Sequence, residues 1–183
     1  MSGIFIWGNE TRLEHMDNEL ATHQKRMQAL VDYTATSFET PYPTPFGGAL
    51  YGSDGTLLAQ AYNRMVRECD PSSHGELNAI REACQKYKTR SFPGSILYAT
   101  SEPCPMCMTA TISIGVETLV FGAFTNEDAI NFWPQEMDLR ARDIAEHVIM
   151  RPKIEIIEGV ERDACRQLFT DCASTMIKLG IRI

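Results

Sequence analysis

The stretch SILYATSEPCPMCMTATISIGVETLVFGA, residues 95–123, predicts a strand, a helix and a second strand in succession. The apolar runs at 95–100 and 117–123 have the length of buried strands. Between them, Pro105 suits the first position of a helix, and Gly115 can end that helix. Two strands joined by a helix form a βαβ unit. We therefore expect an α/β fold in which helices cover both faces of a sheet.

The rest of the chain predicts further helices and strands around this unit. Residues 13–38 carry apolar side chains at helical spacing and contain neither Gly nor Pro. Residues 47–63 predict two short strands joined at Asp54-Gly55, because a hairpin turn requires positive φ angles that glycine tolerates. The remaining predicted elements are helices at 74–88 and 161–178 and a strand at 153–160.

Length and charge limit the possible functions. With 183 residues and 44% hydrophobic composition, the chain predicts one globular domain, 1–183, with its core at about 13–178. The net charge of −7 disfavours tight binding to a long nucleic acid and fits a small, roughly neutral substrate. No apolar run reaches the ~20 residues of a membrane span. Six irregularly spaced cysteines fit a reducing compartment, so we expect a cytoplasmic protein without a membrane partner.

Cys104 and Cys107 have three possible roles when they are considered alone. With Pro105 as the first helical residue, Cys104 is the N-cap and Cys107 lies in the first turn. The partial positive charge at a helix N-terminus lowers thiol pKa values there. The resulting thiolates can bind a metal or cycle as a redox disulfide, or the two residues can simply pack in a core. The pair by itself does not decide among these roles.

A second motif, PSSHGELNAI at 71–80, supplies companions for the cysteines. His74 and Glu76 begin a predicted helix, and both can point inward at its start. One imidazole and two thiolates offer Zn²⁺ three ligands and leave the fourth position to water, as in catalytic zinc sites. A carboxylate that does not touch the metal can take the water proton and deliver it to a leaving group. The pattern H-x-E followed by P-C-x-x-C is the signature of zinc deaminases.

Simpler interpretations of these residues remain open. Ser73 and Glu76 form S-x-x-E before an apolar run, which is the pattern of a capping box that needs no chemistry. His74 alone is typical of a buried core histidine. A non-enzymatic module with structural zinc is the strongest competitor, with Cys69 or Cys84 as a fourth ligand, although neither has the usual ligand spacing. The joint pattern of five residues at two helix starts favours catalytic zinc.

Motifs in residues 45–125 resemble the cytidine deaminase superfamily, specifically guanine deaminases, yeast-type cytosine deaminases and tRNA adenosine deaminases. PFGGAL, AYNRM, DPSSHGELNAI, TSEPCPMCMTA and LVFGA follow the order found in that family, and KIEIIEGV extends the similarity toward the C-terminus. The resemblance implies a three-layer αβα sandwich with a five-stranded mixed sheet and one Zn²⁺ per chain. It also implies hydrolytic release of ammonia from a nucleobase and a homodimer with its sites near the interface.

The resemblance further implies roles for single residues. Asn63 in AYNRM would hydrogen-bond the base, and Phe46 in PFGG would line the pocket. The backbone N–H of Gly75 would meet a ring carbonyl, and the backbone carbonyl of Glu102 would receive the leaving amine. Without the surrounding motifs, Asn63 is typical of a turn and Phe46 of a core. Trp133 is expected to stack on the base as a lid or to form a hydrophobic contact at the dimer interface.

The motifs leave the choice of substrate open. HGELNAIREAC and EPCPMC resemble bacterial guanine deaminases most, although Gly75 replaces their usual Ala as in yeast-type cytosine deaminases. Residues 125–138, TNEDAINFWPQEMD, depart from the Phe-Asp-Asp that guanine deaminases commonly carry there. The basic cluster of Lys86, Lys88 and Arg90 is typical of a solvated helix end. We expect a free purine-type base or nucleoside, guanine-like, with cytosine, another aminated heterocycle or tRNA adenosine as alternatives.

Overall fold

A five-stranded mixed sheet lies at the centre of the protein, in a computed structural model that describes residues 7–133, 138–149 and 153–181. The strands are β1 (Gly47–Tyr51), β2 (Leu57–Tyr62), β3 (Ser95–Ser101), β4 (Val116–Ala123) and β5 (Glu155–Glu158). Their order in the sheet is β2-β1-β3-β4-β5. β1 pairs antiparallel with β2 and β3, whereas β4 is parallel to both β3 and β5. The predicted α/β class with a five-stranded mixed sheet is confirmed.

Helices cover both faces of this sheet. They are α1 (Trp7–Ala35), α2 (Met65–Glu68), α3 (Gly75–Tyr87), α4 (Pro105–Ile114), α5 (Ala141–Glu146) and α6 (Arg162–Lys178). Because successive strand residues point to opposite faces, Leu97 and Phe121 pack with α3, α4 and α5, while Tyr98 and Val120 pack with α1 and α6. The expected three-layer αβα arrangement is therefore present. None of the described helices is long and apolar enough to cross a membrane.

The elements differ from the predicted ones mainly at their ends. α1 begins at Trp7 rather than at residue 13, and it passes into a 3₁₀ turn, Thr36–Glu39, before the prolines that follow. β5 is shorter than the predicted strand at 153–160. α2, α5 and a π-helical turn at Thr125–Ala129 were not predicted, because segments of four to six residues are too short to show a helical period.

Both motifs that carry candidate ligands lie at helix N-termini. Cys104 is the N-cap of α4 with extended backbone angles (φ −66°, ψ 166°), and Pro105 is the first helical residue. Gly115 ends α4 in the left-handed conformation, at φ 87°. His74 is the N-cap of α3, again with extended angles (φ −74°, ψ 154°). The first backbone N–H groups of both helices therefore lie beside the candidate ligands.

The first turn of α3 rests directly on the backbone of β1. A Cβ atom added at Gly48 would lie 2.6 Å from the Cα and 2.7 Å from the N of Glu76. A Cβ atom added at Gly75 would lie 3.0 Å from the Cα of Gly47. Only residues without a side chain allow the two backbones to approach so closely. This contact sets the position of His74 and Glu76 relative to the sheet.

We expect Gly48→Ala to lower the free energy of unfolding by about 1–3 kcal/mol, as overpacking commonly does. The added methyl group would meet backbone atoms of α3, which cannot rotate away. Gly52→Ala is the matched control, because its Cβ would meet side-chain atoms and no backbone: Asp54 Oδ1 at 2.8 Å and Leu58 Cδ2 at 3.5 Å. Chemical denaturation of both variants measures the difference. Equal stability of the two variants would contradict the contact described for β1 and α3.

Candidate active site

The side chains of His74, Cys104 and Cys107 converge between the first turns of α3 and α4. His74 Nδ1 lies 3.7 Å from Cys104 Sγ and 3.5 Å from Cys107 Sγ. The three donor atoms lie within 4.8 Å of one another and could hold one metal ion. Within the described part of the chain, neither Cys69 nor Cys84 belongs to this or another such cluster. The fourth ligand of a structural zinc site is therefore not supplied by either of those cysteines.

The protonation of the two thiols is coupled through a hydrogen bond. The hydrogen bond from Cys107 lowers the pKa of Cys104 to about 4, and the same interaction raises the pKa of Cys107. The hydrogen bond between His74 and Cys104 raises the pKa of His74. This hydrogen bond favours the thiolate form of Cys104, and a divalent cation that binds the cluster would displace the remaining protons. One imidazole and two thiols form a donor set that fits Zn²⁺.

Glu76 lies beside the cluster and is 7% exposed. Burial raises the pKa of Glu76 to about 7, and its carboxyl group also interacts with Cys107. The capping-box interpretation of Glu76 was wrong, because the N-cap of α3 is His74 and no side chain caps this helix. The hydroxyl of Ser73 instead donates to Glu68 Oε2 at 2.6 Å. The Glu76 carboxyl group can therefore exchange a proton near neutral pH.

The cluster opens into a pocket of about 450 Å³, a volume within the range of small-molecule sites. Cys107 lies beneath the pocket and is fully buried. Gly75 is buried and does not line the wall, although its N–H lies in the first turn of α3, where helical acceptors are lacking. The other candidate site residues line the pocket: Phe46, Asn63, His74, Glu76, Glu102, Cys104 and Trp133.

The side-chain amide of Asn63 has two groups with different tasks: its oxygen accepts a local hydrogen bond, and its NH2 group can donate to a ligand. The backbone N–H of Met65 donates to Asn63 Oδ1 at 2.9 Å, which is the local bond expected of a turn residue. Because a backbone N–H can bond only to an acceptor, the Asn63 side-chain atom that faces Met65 must be the amide oxygen and not the nitrogen. The Nδ2 group is then the donor that Asn63 can offer to a ligand.

Phe46 is held in position by Thr100, a residue that the sequence motifs did not indicate. The buried hydroxyl of Thr100 donates to the Pro45 carbonyl at 2.8 Å and accepts from the Gly47 N–H at 2.9 Å. These bonds fix the backbone on both sides of Phe46. The Phe46 carbonyl in turn accepts from the Asn63 N–H at 2.8 Å. Thr100 therefore connects β3 to the two pocket residues Phe46 and Asn63.

Trp133 packs within an aromatic cluster at the edge of the pocket. Its ring centroid lies 5.6 Å from that of Phe46, 5.8 Å from that of Phe132 and 5.8 Å from that of Phe169. Trp133 is half-buried by these contacts. Residues 134–137 of the same segment lie outside the described residues. The Phe46 ring lines the pocket and also packs edge-on against Phe169 in the core.

Three hydrogen-bond donors from distant parts of the sequence hold Glu102. Its carboxylate, 3% exposed, accepts from Arg140 Nε at 2.9 Å and from the Ala141 N–H at 3.1 Å. Its backbone carbonyl accepts from Thr125 Oγ1 at 3.2 Å. Thr125 and Arg140 were missed by the sequence analysis, because no local pattern connects them to a residue 23 or 38 positions away. The fold thus fixes the carbonyl that was expected to receive the leaving amine.

Sequence comparison identifies the family that carries this fold and this donor set. The chain belongs to the family described as the cytidine and deoxycytidylate deaminase zinc-binding region, whose sequence model matches residues 20–123. Zinc is accordingly the metal of this family's deaminase site, and the predicted superfamily membership is confirmed.

The relatives of this chain are named for different substrates. A tRNA-specific adenosine deaminase of Bacillus subtilis (strain 168) is 33% identical over 118 residues, covering 64% of this chain and 69% of the relative. A guanine deaminase of the same strain is 39% identical over 66 residues, covering 36% of this chain and 42% of the relative. The solved structure of a guanine deaminase from Nitrosomonas europaea is 26% identical with a TM-score of 0.69, covering 82% and 84% of the two chains. The chain spans half or less of the length of several curated relatives.

Proposed function

We propose that the protein releases ammonia by hydrolysis from a free purine-type nucleobase or nucleoside, with a guanine-like substrate preferred. The observation that carries this proposal is the convergence of His74, Cys104 and Cys107 beside the buried carboxyl group of Glu76, on a pocket of base size. We propose that the three donors hold one Zn²⁺ per chain and that residues 1–183 form a single deaminase domain.

Glu76 is the proton carrier of the proposed reaction. When bound, Zn²⁺ supplies the Lewis acidity that lowers the pKa of a water molecule toward neutrality. Glu76 would accept one proton from the attacking water and pass it to a ring nitrogen. It would then take the second proton from the added hydroxyl group and deliver it to the departing amine. A carbon–oxygen bond forms and the exocyclic carbon–nitrogen bond breaks, so the products are a carbonyl base and ammonia. A carboxyl group with a pKa of about 7 suits transfer in both directions.

The remaining pocket residues would hold the base in place. Asn63 offers Nδ2 to an acceptor on the base edge, and the Gly75 N–H would donate to a ring carbonyl. The Glu102 carbonyl would accept a hydrogen bond from the leaving amine. Phe46 and Trp133 provide the apolar surfaces that a flat ring requires. The half-buried position of Trp133 among other aromatic rings supports a place in the pocket wall.

The charges around the pocket support a small substrate. Arg64, near the pocket mouth, is paired with Glu68 at 2.7 Å and with Glu82 at 2.8 Å. Lys86 lies ten residues after Glu76 on α3, which places it about 15 Å along the helix axis from the carboxyl group. The basic cluster near Lys86 is therefore not at the pocket. The similarity to a solved guanine deaminase over 82% of this chain favours guanine among small bases.

A second candidate, deamination of adenosine in tRNA, is favoured by a groove that adjoins the pocket. This groove of about 220 Å³ shares Asn63 with the pocket and includes Tyr42, Tyr62 and Arg67. Arg67 is exposed and forms no hydrogen bond or ion pair with the residues that the structure describes. Aromatic rings and a cationic side chain are suited to a neighbouring nucleotide. The similarity to a tRNA-specific adenosine deaminase also favours this candidate.

We expect Glu76→Gln to keep its zinc and to lower kcat by about 10²–10⁴-fold, the usual contribution of a general acid–base. The amide cannot carry the proton, whereas none of the three donor atoms is changed. Glu82→Gln is the matched control on the same helix, since Glu82 pairs with Arg64 outside the metal cluster. Metal analysis and an ammonia assay test both variants. Normal turnover by Glu76→Gln would show that the assigned role is wrong.

A substrate panel separates the candidate functions. Ammonia release is measured for guanine, cytosine, adenine, their nucleosides, pterins and aminotriazines, and inosine formation is measured in an anticodon stem-loop RNA. We expect guanine to give the highest kcat/KM, because the pocket accommodates one base and the chain is similar to a solved guanine deaminase over 82% of its length. Activity confined to the RNA would support the second candidate instead. Zinc binding without ammonia release from any substrate would support the structural-zinc module.

We propose that the protein forms a homodimer with the pocket near its interface. Exposed apolar side chains flank the pocket: Met106 lines it, and Val66 and Ile130 each follow a lining residue. Val66 is 76% exposed and Ile130 is 45% exposed. Exposed apolar side chains grouped in this way mark interaction surfaces. Light scattering should give twice the chain mass of 20.6 kDa, and a monomer mass at micromolar concentration would contradict the proposal.

A further inference from the structure

Ser101, the last residue of β3, combines burial with an unused hydroxyl group. It lines the pocket and is 6% exposed. Its hydroxyl forms no hydrogen bond with any residue in 7–133, 138–149 and 153–181. Unlike the Ser95 hydroxyl at the start of the same strand, which is fully enclosed, the Ser101 hydroxyl is accessible. Since Ser101 borders the pocket, a molecule that occupies the pocket is in a position to provide that partner.

The two neighbours of Ser101 have polar side chains that are already bonded within the fold. The Thr100 hydroxyl is fully used by the Pro45 carbonyl and the Gly47 N–H. The Glu102 carboxylate is bound by Arg140 and the Ala141 N–H. The polar side chains on either side of Ser101 thus bond within the fold and do not face a ligand unpaired.

The place of Ser101 in the chain brings it close to the reacting part of the base. It directly precedes Glu102, whose carbonyl is proposed to accept the leaving amine, and it lies three residues before Cys104, a proposed metal ligand. A serine hydroxyl both donates and accepts one hydrogen bond. It can therefore pair with an unprotonated ring nitrogen or with an exocyclic oxygen, whereas an apolar ring edge would leave it unpaired.

We propose that the Ser101 hydroxyl hydrogen-bonds a polar group on the edge of the substrate base and thereby helps to determine which base is deaminated. This inference rests on the proposed function, because it takes the occupant of the pocket to be a purine-type base. A site that hydrogen-bonds one polar group of its substrate rejects analogues that lack this group, since the protein group is then left unpaired. Ser101 is in this sense a specificity-determining residue.

The test compares Ser101→Ala with the unmodified protein on a series of base analogues. The preferred base of the panel, guanine on our proposal, is measured beside 7-deazaguanine, 9-deazaguanine and 2-aminopurine, each of which lacks one polar edge group. Loss of one hydrogen bond should lower kcat/KM for the preferred base about tenfold. One of the analogues lacks the group that Ser101 bonds. On that analogue the variant and the unmodified protein should have the same kcat/KM, because the hydrogen bond is already missing.

Ser95→Ala is the matched control for this test. Ser95 begins the same strand, is 1% exposed, and its hydroxyl likewise has no partner among the described residues. It lies six residues from Ser101, about 20 Å along the strand and away from the pocket wall. We expect Ser95→Ala to retain the kcat/KM of the unmodified protein on every compound.

Two results would overturn the inference. Ser101→Ala could retain the full kcat/KM on the preferred base, or it could lose the same factor on that base and on all three analogues. The second result would indicate a general structural effect. Ammonia release by the unmodified protein reports on the proposed function separately, because it does not depend on the variant.

Discussion

The backbone of β1 and the first turn of α3 are in contact at Gly48, at a separation that leaves no room for a side chain. α4 begins just after β3, which neighbours β1 in the sheet. Together the two packed helices bring His74 to 3.5 Å from Cys107, although the residues are 33 positions apart. The metal site is therefore a consequence of how closely helix and sheet pack, and its donors belong to two rigid elements.

In the same site, the pKa values of Cys104 and Glu76 are shifted in opposite directions. A hydrogen bond from Cys107 lowers the pKa of Cys104 to about 4, whereas burial raises the pKa of Glu76 to about 7. The first shift favours the binding of a cation by Cys104, and the second suits the proton transfer proposed for Glu76. Groups whose environments shift their pKa values in opposite directions are typical of catalytic sites. The hydrogen bond between the two cysteines and the burial of Glu76 at the start of α3 account for this division.

Local patterns were sufficient to predict which residues gather at the candidate metal cluster, but not the contacts around it. Pro105 and the H-x-E pattern placed the candidate ligands at helix starts, because these signals act over a few residues. The contacts of Thr100 with Pro45 and of Thr125 with Glu102 depend on the tertiary fold, and no sequence period encodes them. Cytoplasmic location and a single domain over 1–183 stay predictions. The substrate also remained open, because relatives named as tRNA-specific adenosine deaminase and as guanine deaminase are both similar to this chain.

The central claim is that His74, Cys104 and Cys107 hold zinc and leave one position open. X-ray absorption at the zinc edge of the purified protein measures this ligand set directly. We predict two sulfur ligands at about 2.3 Å, one imidazole nitrogen at about 2.0 Å and one further oxygen ligand from solvent. A third or fourth sulfur ligand would mean that Cys69, Cys84 or another cysteine closes the site. That result would contradict the account of an open, catalytic zinc centre.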